Sequence, residues 1–301
     1  MKAKRKIILT IFLTICALTQ LFSQSINHGG KILESISFPS KVLNRDVKYS
    51  AYLPYDYEYS STRLYPVVYL LHGLTGNEMD WIERANIKFI ADDLIGKGEI
   101  PPMIIIMPDA KNTFYVNDFK NEDRYMDMFF AELMPYMERT YRTRNDEYDR
   151  AIAGLSMGGY GALVYAMKHP ELFSTCIALS AAVKTDEDII NIDEEMWKNY
   201  SGLRYGGLNG KSRLTPTWRN NDPITMVDTR PLDSLKMVHY YIDCGDDDHL
   251  IGGNCALHLA MKKKGIPHEF RVRDGVHDWM YWKTGIVDGL KLIGFYFTGG
   301  Y

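Results

Sequence analysis

Gly154-Leu155-Ser156-Met157-Gly158-Gly159 follows a short apolar run, Ala151-Ile152-Ala153, and leads into a helix-forming stretch over 160–168 that His169-Pro170 closes. Read in order, this is a strand, a tight turn and a helix, with a serine at the turn. A G-x-S-x-G match carries weight only in that setting. The glycines are needed because a strained turn leaves no room for side chains, and the serine hydroxyl is then left exposed. Alone, the stretch could be a glycine-rich turn with an incidental serine, so its meaning depends on what the rest of the chain supplies.

Outward from this turn, short apolar runs alternate with helical segments. Residues 67–71, 104–107, 151–153 and 176–179 read as strands, and 240–244 and 270–272 continue the series. Helical patterns occupy 81–95, 125–141, 157–168 and 255–264, the last stopping at Gly265. Short continuous apolar runs interleaved with helices indicate parallel strands covered on both faces. Nearer the start, 32–38 and the alternating Val47, Tyr49, Ala51 and Leu53 flank a turn at Asn44-Arg45 and predict two antiparallel edge strands. The expected architecture is α/β, one mostly parallel sheet with helices on both faces.

The chain begins with what reads as an address. Lys2, Lys4, Arg5 and Lys6 precede an apolar run over 7–18, and Ser23-Gln24-Ser25 follows. That layout predicts a secretory signal peptide over residues 1–24, too short for a comfortable membrane span. Ile15 before Cys16 is bulky, which argues against a lipid-modified cysteine. Residues 25–301 then form a single exported domain, and no membrane span is expected in them. Cleavage would remove four positive charges and change the formal charge from −3 to about −7. A mildly acidic chain argues against nucleic acid or an anionic membrane as partner. Three cysteines remain, Cys176, Cys244 and Cys255, which allow a bridge between Cys244 and Cys255 or three small buried hydrophobes.

One segment departs from the alternating rhythm. Residues 183–235 are long, polar and turn-rich, with Asp186-Glu187-Asp188 and Asp193-Glu194-Glu195 beside Trp197, Tyr200, Tyr205 and Trp218. An insertion here is expected to act as a lid or substrate wall; the plainer reading is a solvated excursion.

A serine becomes a nucleophile when a histidine takes its proton, and that histidine needs an acid to hold its tautomer and stabilise its cation. Of eight histidines, His277 stands in Asp274-Gly275-Val276-His277-Asp278-Trp279, just past the last strand, where parallel sheets place reactive groups. The acid is offered by Tyr241-Ile242-Asp243-Cys244-Gly245-Asp246-Asp247-Asp248-His249 at the end of the preceding strand, and spacing does not choose among Asp246, Asp247 and Asp248. That cluster could also be read as a metal site, but adjacent residues rarely converge on one ion without further ligands, so no metal is expected. An oxyanion hole needs backbone N–H groups: one from Met157, after the serine, and one from the loop Leu70-Leu71-His72-Gly73-Leu74-Thr75-Gly76.

These residues together resemble the feruloyl esterase and esterase D-like branch of the α/β-hydrolases. The likeness spans 47–54, His72-Gly73-Leu74 with 77–81, Met107-Pro108-Asp109 and 132–136. It continues through the serine motif, Cys244-Gly245-x-x-Asp248 and Gly275-x-His277-x-Trp279. It implies the α/β-hydrolase fold, a catalytic set of Ser156, Asp248 and His277, oxyanion donors at Leu74 and Met157, and no metal or organic cofactor. The reaction implied is hydrolysis of a carboxylic ester through an acyl-serine intermediate. Exported relatives of this kind often remove feruloyl or acetyl groups from plant polysaccharides such as xylan. Trp81, Tyr115, Trp197 and Trp218 are candidates to stack on sugar or phenolic rings; the alternative for most of these aromatics is a place in the core, with Trp81 and Trp279 foremost. Two competing readings are a siderophore or small-ester hydrolase with the same triad, and a silent domain that only binds carbohydrate or protein.

Overall fold

The computed structural model describes residues 29–207 and 209–300. The expected leader over 1–24 lies outside the described residues. Eight strands form one sheet: β1 (Lys31–Ser40), β2 (Arg45–Leu53), β3 (Val67–Leu71), β4 (Ile104–Pro108), β5 (Arg150–Leu155), β6 (Thr175–Leu179), β7 (His239–Gly245) and β8 (His268–Arg273). Their order is β1-β2-β4-β3-β5-β6-β7-β8. β1 pairs antiparallel with β2 and β2 with β4, while every later pair is parallel.

The central runs are continuously apolar because both faces are covered. Every residue of β3, β4, β5 and β6 is buried. Alternate residues serve opposite cores: Val67, Tyr69 and Leu71 pack into one, Val68 and Leu70 into the other. This is the period of two that a pleated strand imposes.

The helices flank this sheet. α1 (Asp80–Glu83) and α2 (Ile87–Gly96) replace the single helix expected over 81–95. The break falls at Asn86, whose φ of 55° is left-handed, a conformation asparagine tolerates better than most residues. α3 runs through Tyr125–Met128, a π turn at Phe129–Leu133, and Met134–Thr140. α4 (Met157–Lys168) follows the serine. After β7 comes α10 (Ile251–Lys264), and after β8 α11 (Trp279–Phe297), a helix beyond those expected from the sequence. Glycines lower its intrinsic propensity, yet Gly289 is needed, because a Cβ there would stand 2.8 Å from Ile177.

Between β6 and β7 the insertion folds as short helices: α5 (Asp186–Asn191), α6 (Glu194–Met196, continuing through Trp197–Ser201 and Gly202–Tyr205), α7 (Pro216–Asn221), α8 (Pro223–Thr229) and α9 (Leu232–Leu235). Its acidic residues are partly caps. Thr185 and Asp188 form a capping box, and Asp193 and Asp222 accept from the first N–H groups of their helices. All three cysteines are free thiols, so Cys244 and Cys255 are not bridged. Among the described residues no helix is long and apolar enough to cross a membrane.

Candidate active site

The loops at the carboxyl ends of β3, β5, β7 and β8 converge on Ser156. This residue has φ 52° and ψ −116°, a strained conformation for a residue with a Cβ. Its carbonyl accepts from Tyr160 and Ala182, and its N–H donates to Leu179 at 2.8 Å, so the strain is held by backbone on three sides. The close packing behind the turn requires glycine. A Cβ on Gly158 would stand 2.4 Å from the Leu71 carbonyl oxygen, and one on Gly154 2.4 Å from Gly158.

His277 Nε2 lies 2.9 Å from Ser156 Oγ, and its Nδ1 lies 2.8 Å from Asp248 Oδ2. A carboxylate only accepts, so Nδ1 carries the proton and Nε2 accepts from the serine hydroxyl. Asp248 is buried, and its other oxygen accepts the Leu250 N–H at 2.8 Å. Burial pushes its carboxyl pKa up, but bonds from His277 and Leu250, with the Ser180 hydroxyl nearby, outweigh that and hold it below the usual range.

The neighbouring acids have other work. Asp246 Oδ1 accepts the Gly275 N–H at 3.0 Å, joining the β7 and β8 loops, and Asp247 is exposed. Asp243 is buried beneath them. It pairs with Arg273 Nε at 2.9 Å and accepts from the hydroxyls of Tyr241 and Tyr281. Trp282 meets the His277 ring edge-on at 4.8 Å. His249, part of the cluster weighed as a metal site, meets His277 at 4.6 Å between centroids. Asp248, His249 and His277 thus come close enough to share an ion. Such an ion would have to displace the bonds that already commit His277 to Asp248 and Ser156, so the donor set fits a relay better than a metal site.

Met157 is the first residue of α4, where helix N–H groups have no intrahelical partner. Leu74 sits in a turn closed by Gly76 N–H to Gly73 O at 3.1 Å. Both line the cavity beside Ser156. The loop is anchored from below. His72 Nε2 accepts the Ala110 N–H at 2.8 Å, and its Nδ1 is 2.7 Å from Gly73 O.

The family model described as “Putative esterase” matches residues 40–293. The chain belongs to this esterase family. It is 28% identical over 268 residues to an acetyl esterase of Caldicellulosiruptor saccharolyticus, covering 85% of this chain and 96% of that one. It is 26% identical over 273 residues to an endo-1,4-beta-xylanase/feruloyl esterase of Xylanibacter ruminicola. That match covers 87% of this chain but only 31% of the relative's length. A solved ferulic acid esterase superposes with a TM-score of 0.77 at 33% identity, over 90% of this chain and 100% of that one. The expected α/β-hydrolase fold is present, and the protein is a carboxylic ester hydrolase.

The esterase carries two concavities at Ser156. One, of about 280 Å³, is mainly apolar and is walled by Leu74, Phe114, Ile192, Met196 and Tyr200. The other, of about 470 Å³, opens past Gly76, Asp80, Arg84, Asp278 and Trp279. His249 borders both. Burial raises the Asp80 carboxyl above its ordinary value, partly offset by His72 and Arg84.

None of the four aromatics expected to touch substrate lines either concavity. Trp81 is buried and donates to the Leu71 carbonyl at 3.0 Å, and Tyr115 is buried and donates to the His72 carbonyl at 3.0 Å. Both support the end of β3 from behind, upstream of Leu74. Trp197 and Trp218 are buried inside the insertion, the first donating to Gly207 at 3.0 Å and the second packed edge-on against Tyr205 at 5.1 Å. A large aromatic ring gains more from complete burial than from lining an open site, and these four occupy interior places. The aromatic side chains lining the two concavities are Phe114, Tyr200, Trp279 and Trp282. Phe114 and Tyr115 are both at positive φ, 51° and 59°, a reversal that alternation of the sequence does not announce.

Proposed function

We propose that this esterase is an exported enzyme that removes feruloyl or acetyl groups from acylated plant polysaccharide, with Ser156, His277 and Asp248 as its triad. The observation that carries the mechanism is the chain of contacts from Asp248 Oδ2 through His277 to Ser156 Oγ, at 2.8 and 2.9 Å. His277 Nε2 takes the serine proton as Oγ attacks the ester carbonyl carbon. The developing oxyanion is met by the N–H groups of Leu74 and Met157. His277 then gives the proton to the departing alcohol oxygen, leaving an acyl-serine. Water, deprotonated by the same Nε2, attacks the acyl carbon and releases the acid and the free serine. Asp248 stabilises the imidazolium in both halves.

Three observations support the substrate class. The apolar cavity of about 280 Å³ suits an acyl group the size of a phenylpropenoyl unit. The opposite cleft, with Asp80, Arg84 and Asp278, suits a hydroxyl-bearing alcohol. Relatives named acetyl esterase and xylanase/feruloyl esterase share most of this chain. Export is supported by the charged, apolar and small-residue order of the first 25 residues.

The test is product release by residues 25–301 and by Ser156→Ala from methyl ferulate, feruloylated arabinoxylan, acetylated xylan and a short-chain acetyl ester. Serine-dependent ferulate or acetate release from polysaccharide is expected. Release from the small ester alone would overturn the polysaccharide assignment, and Ser156→Ala activity above a thousandth of wild type would overturn the triad.

A further inference from the structure

A second concavity of about 920 Å³ lies across the insertion from Ser156, and the ester chemistry makes no use of it. Helix α6 divides the two. Met196, Tyr200 and Ser201 line the cavity at Ser156, whereas Glu194, Trp197 and Lys198 line the second concavity. A helix with its side chains is about 10–12 Å across, which sets the separation. The second concavity continues into a polar pocket of about 430 Å³, and Asp118 and Phe119 belong to both. Phe119 thus stands between two adjoining concavities, together called the groove below.

Phe119 is 44% exposed, with Lys120 Nζ 5.7 Å from its ring centroid, and its loop is held in place. Asp118 Oδ1 accepts the N–H groups of Glu122 at 2.7 Å and Asp123 at 3.0 Å. Arg204 of α6 donates to Asp123 at 2.8 Å and ties the loop to the insertion. Gly206, at φ 71°, backs the ring so closely that a Cβ would stand 3.0 Å from it. Asn117, Asn121 and Asn220 line the polar pocket with Phe119; Asn117 Oδ1 already accepts the Asp127 N–H at 3.2 Å, so Asn121 and Asn220 are the amides offered to a ligand.

This is the chemistry of a sugar site. A side-chain amide presents a donor and an acceptor side by side, matching vicinal hydroxyls. An aromatic face takes the C–H face of a pyranose by dispersion and burial. Asp118, Glu122, Asp123 and Glu194 are balanced by Lys120, Lys198, Arg204 and Lys168, so the lining carries no net charge and favours a neutral ligand over an ionic one. We propose that the groove binds the neutral, hydroxyl-rich backbone of a polysaccharide and anchors the polymer while one of its acyl groups occupies the cavity at Ser156. The idea rests on the polysaccharide reading of the ester site.

The test is calorimetric titration of residues 25–301 with xylohexaose, an unsubstituted probe that offers no ester. Phe119→Ala is expected to weaken binding about tenfold, and Asn220→Ala, which also lines the polar pocket, to weaken it severalfold should Phe119→Ala prove unstable. The kcat/KM for methyl ferulate stays unchanged in both variants, while that for feruloylated arabinoxylan falls through a higher KM. No binding by the unaltered protein, or equal binding by both variants, overturns the groove. Failure of the ester reading shows separately, as absent turnover of every ester, and leaves the titration interpretable.

Discussion

Replacing Asp248 with asparagine alters almost no volume but removes the property the relay depends on. The carboxylate can only accept, so His277 keeps its proton on Nδ1 and leaves Nε2 open toward Ser156 at 2.9 Å. An asparagine oxygen that retained the Leu250 N–H, now bonded at 2.8 Å, would turn its NH2 group toward His277. Nδ1 would then have to accept, and the proton would move to Nε2, where it blocks general-base catalysis. The variant also loses the negative charge that stabilises the imidazolium. Comparable loss of a triad acid costs about 10⁴ in kcat, or about 5.4 kcal/mol of barrier. The assay is steady-state hydrolysis of methyl ferulate and of a short acetyl ester, with circular dichroism and thermal unfolding to establish that the variant folds. Asp247→Asn, an exposed position, serves as the control and is expected to match wild type. A folded Asp248→Asn enzyme retaining more than about one hundredth of wild-type kcat would refute the assignment, as would an equal loss in Asp247→Asn.

Other consequences are more local. Trp81→Phe removes the bond to the Leu71 carbonyl; a cost of about 1–3 kcal/mol is expected, read as a Tm lower by roughly 2–8 °C. Gly158→Ala would press a methyl group against the backbone oxygens of Leu71 and His72, and destabilisation of about 3 kcal/mol with loss of turnover is expected in urea unfolding and rate assays. Asp248 ionises more readily folded than unfolded, so its stabilisation is complete above the ordinary carboxylate range and is lost as pH falls through its depressed folded-state value. Thermal unfolding between pH 7 and pH 2 is therefore expected to show a shallower acid decline in Asp248→Asn than in wild type, and superimposable curves would argue against it. Met196→Trp narrows the apolar cavity; kcat/KM for methyl ferulate is expected to fall about tenfold or more while acetyl ester hydrolysis is retained.

The sheet was legible because its strands are buried on both faces, which turns each into a short apolar run with definite ends. Val67–Leu71 could be read to the residue, since Pro66 and His72 close an otherwise apolar stretch. Ser156 was legible for a related reason: a strained turn admits few residues on either side, so the glycines mark it. His277 followed from its place after the last strand. Asp248 did not follow from the residues alone, because four carboxylates share one strand end and only the loop geometry separates them. α11 went unread because its glycines are there to let it approach β6, a tertiary demand that local propensity opposes.

The walls of the site were the least legible part, and α6 shows why. It separates two concavities, so it carries large side chains on more than one side: Met196 and Tyr200 toward Ser156, Trp197 toward the far groove and the insertion's own interior. A helix with a single apolar stripe reveals which face is inward; one that is apolar on several sides does not. Size is then a poor guide: Trp279 and Trp282 line the cleft beside Ser156, while equally large rings are fully buried elsewhere. Trp81, Tyr115 and Trp218 are buried away from that cleft, Trp197 faces the far groove, and Phe114, Met196 and Tyr200 line the apolar cavity at the serine. On the proposed function, substrate choice falls to residues that a search for conspicuous aromatics passes over. Changes there are expected to alter which acyl group is accepted, while changes at the buried tryptophans alter whether the site holds together.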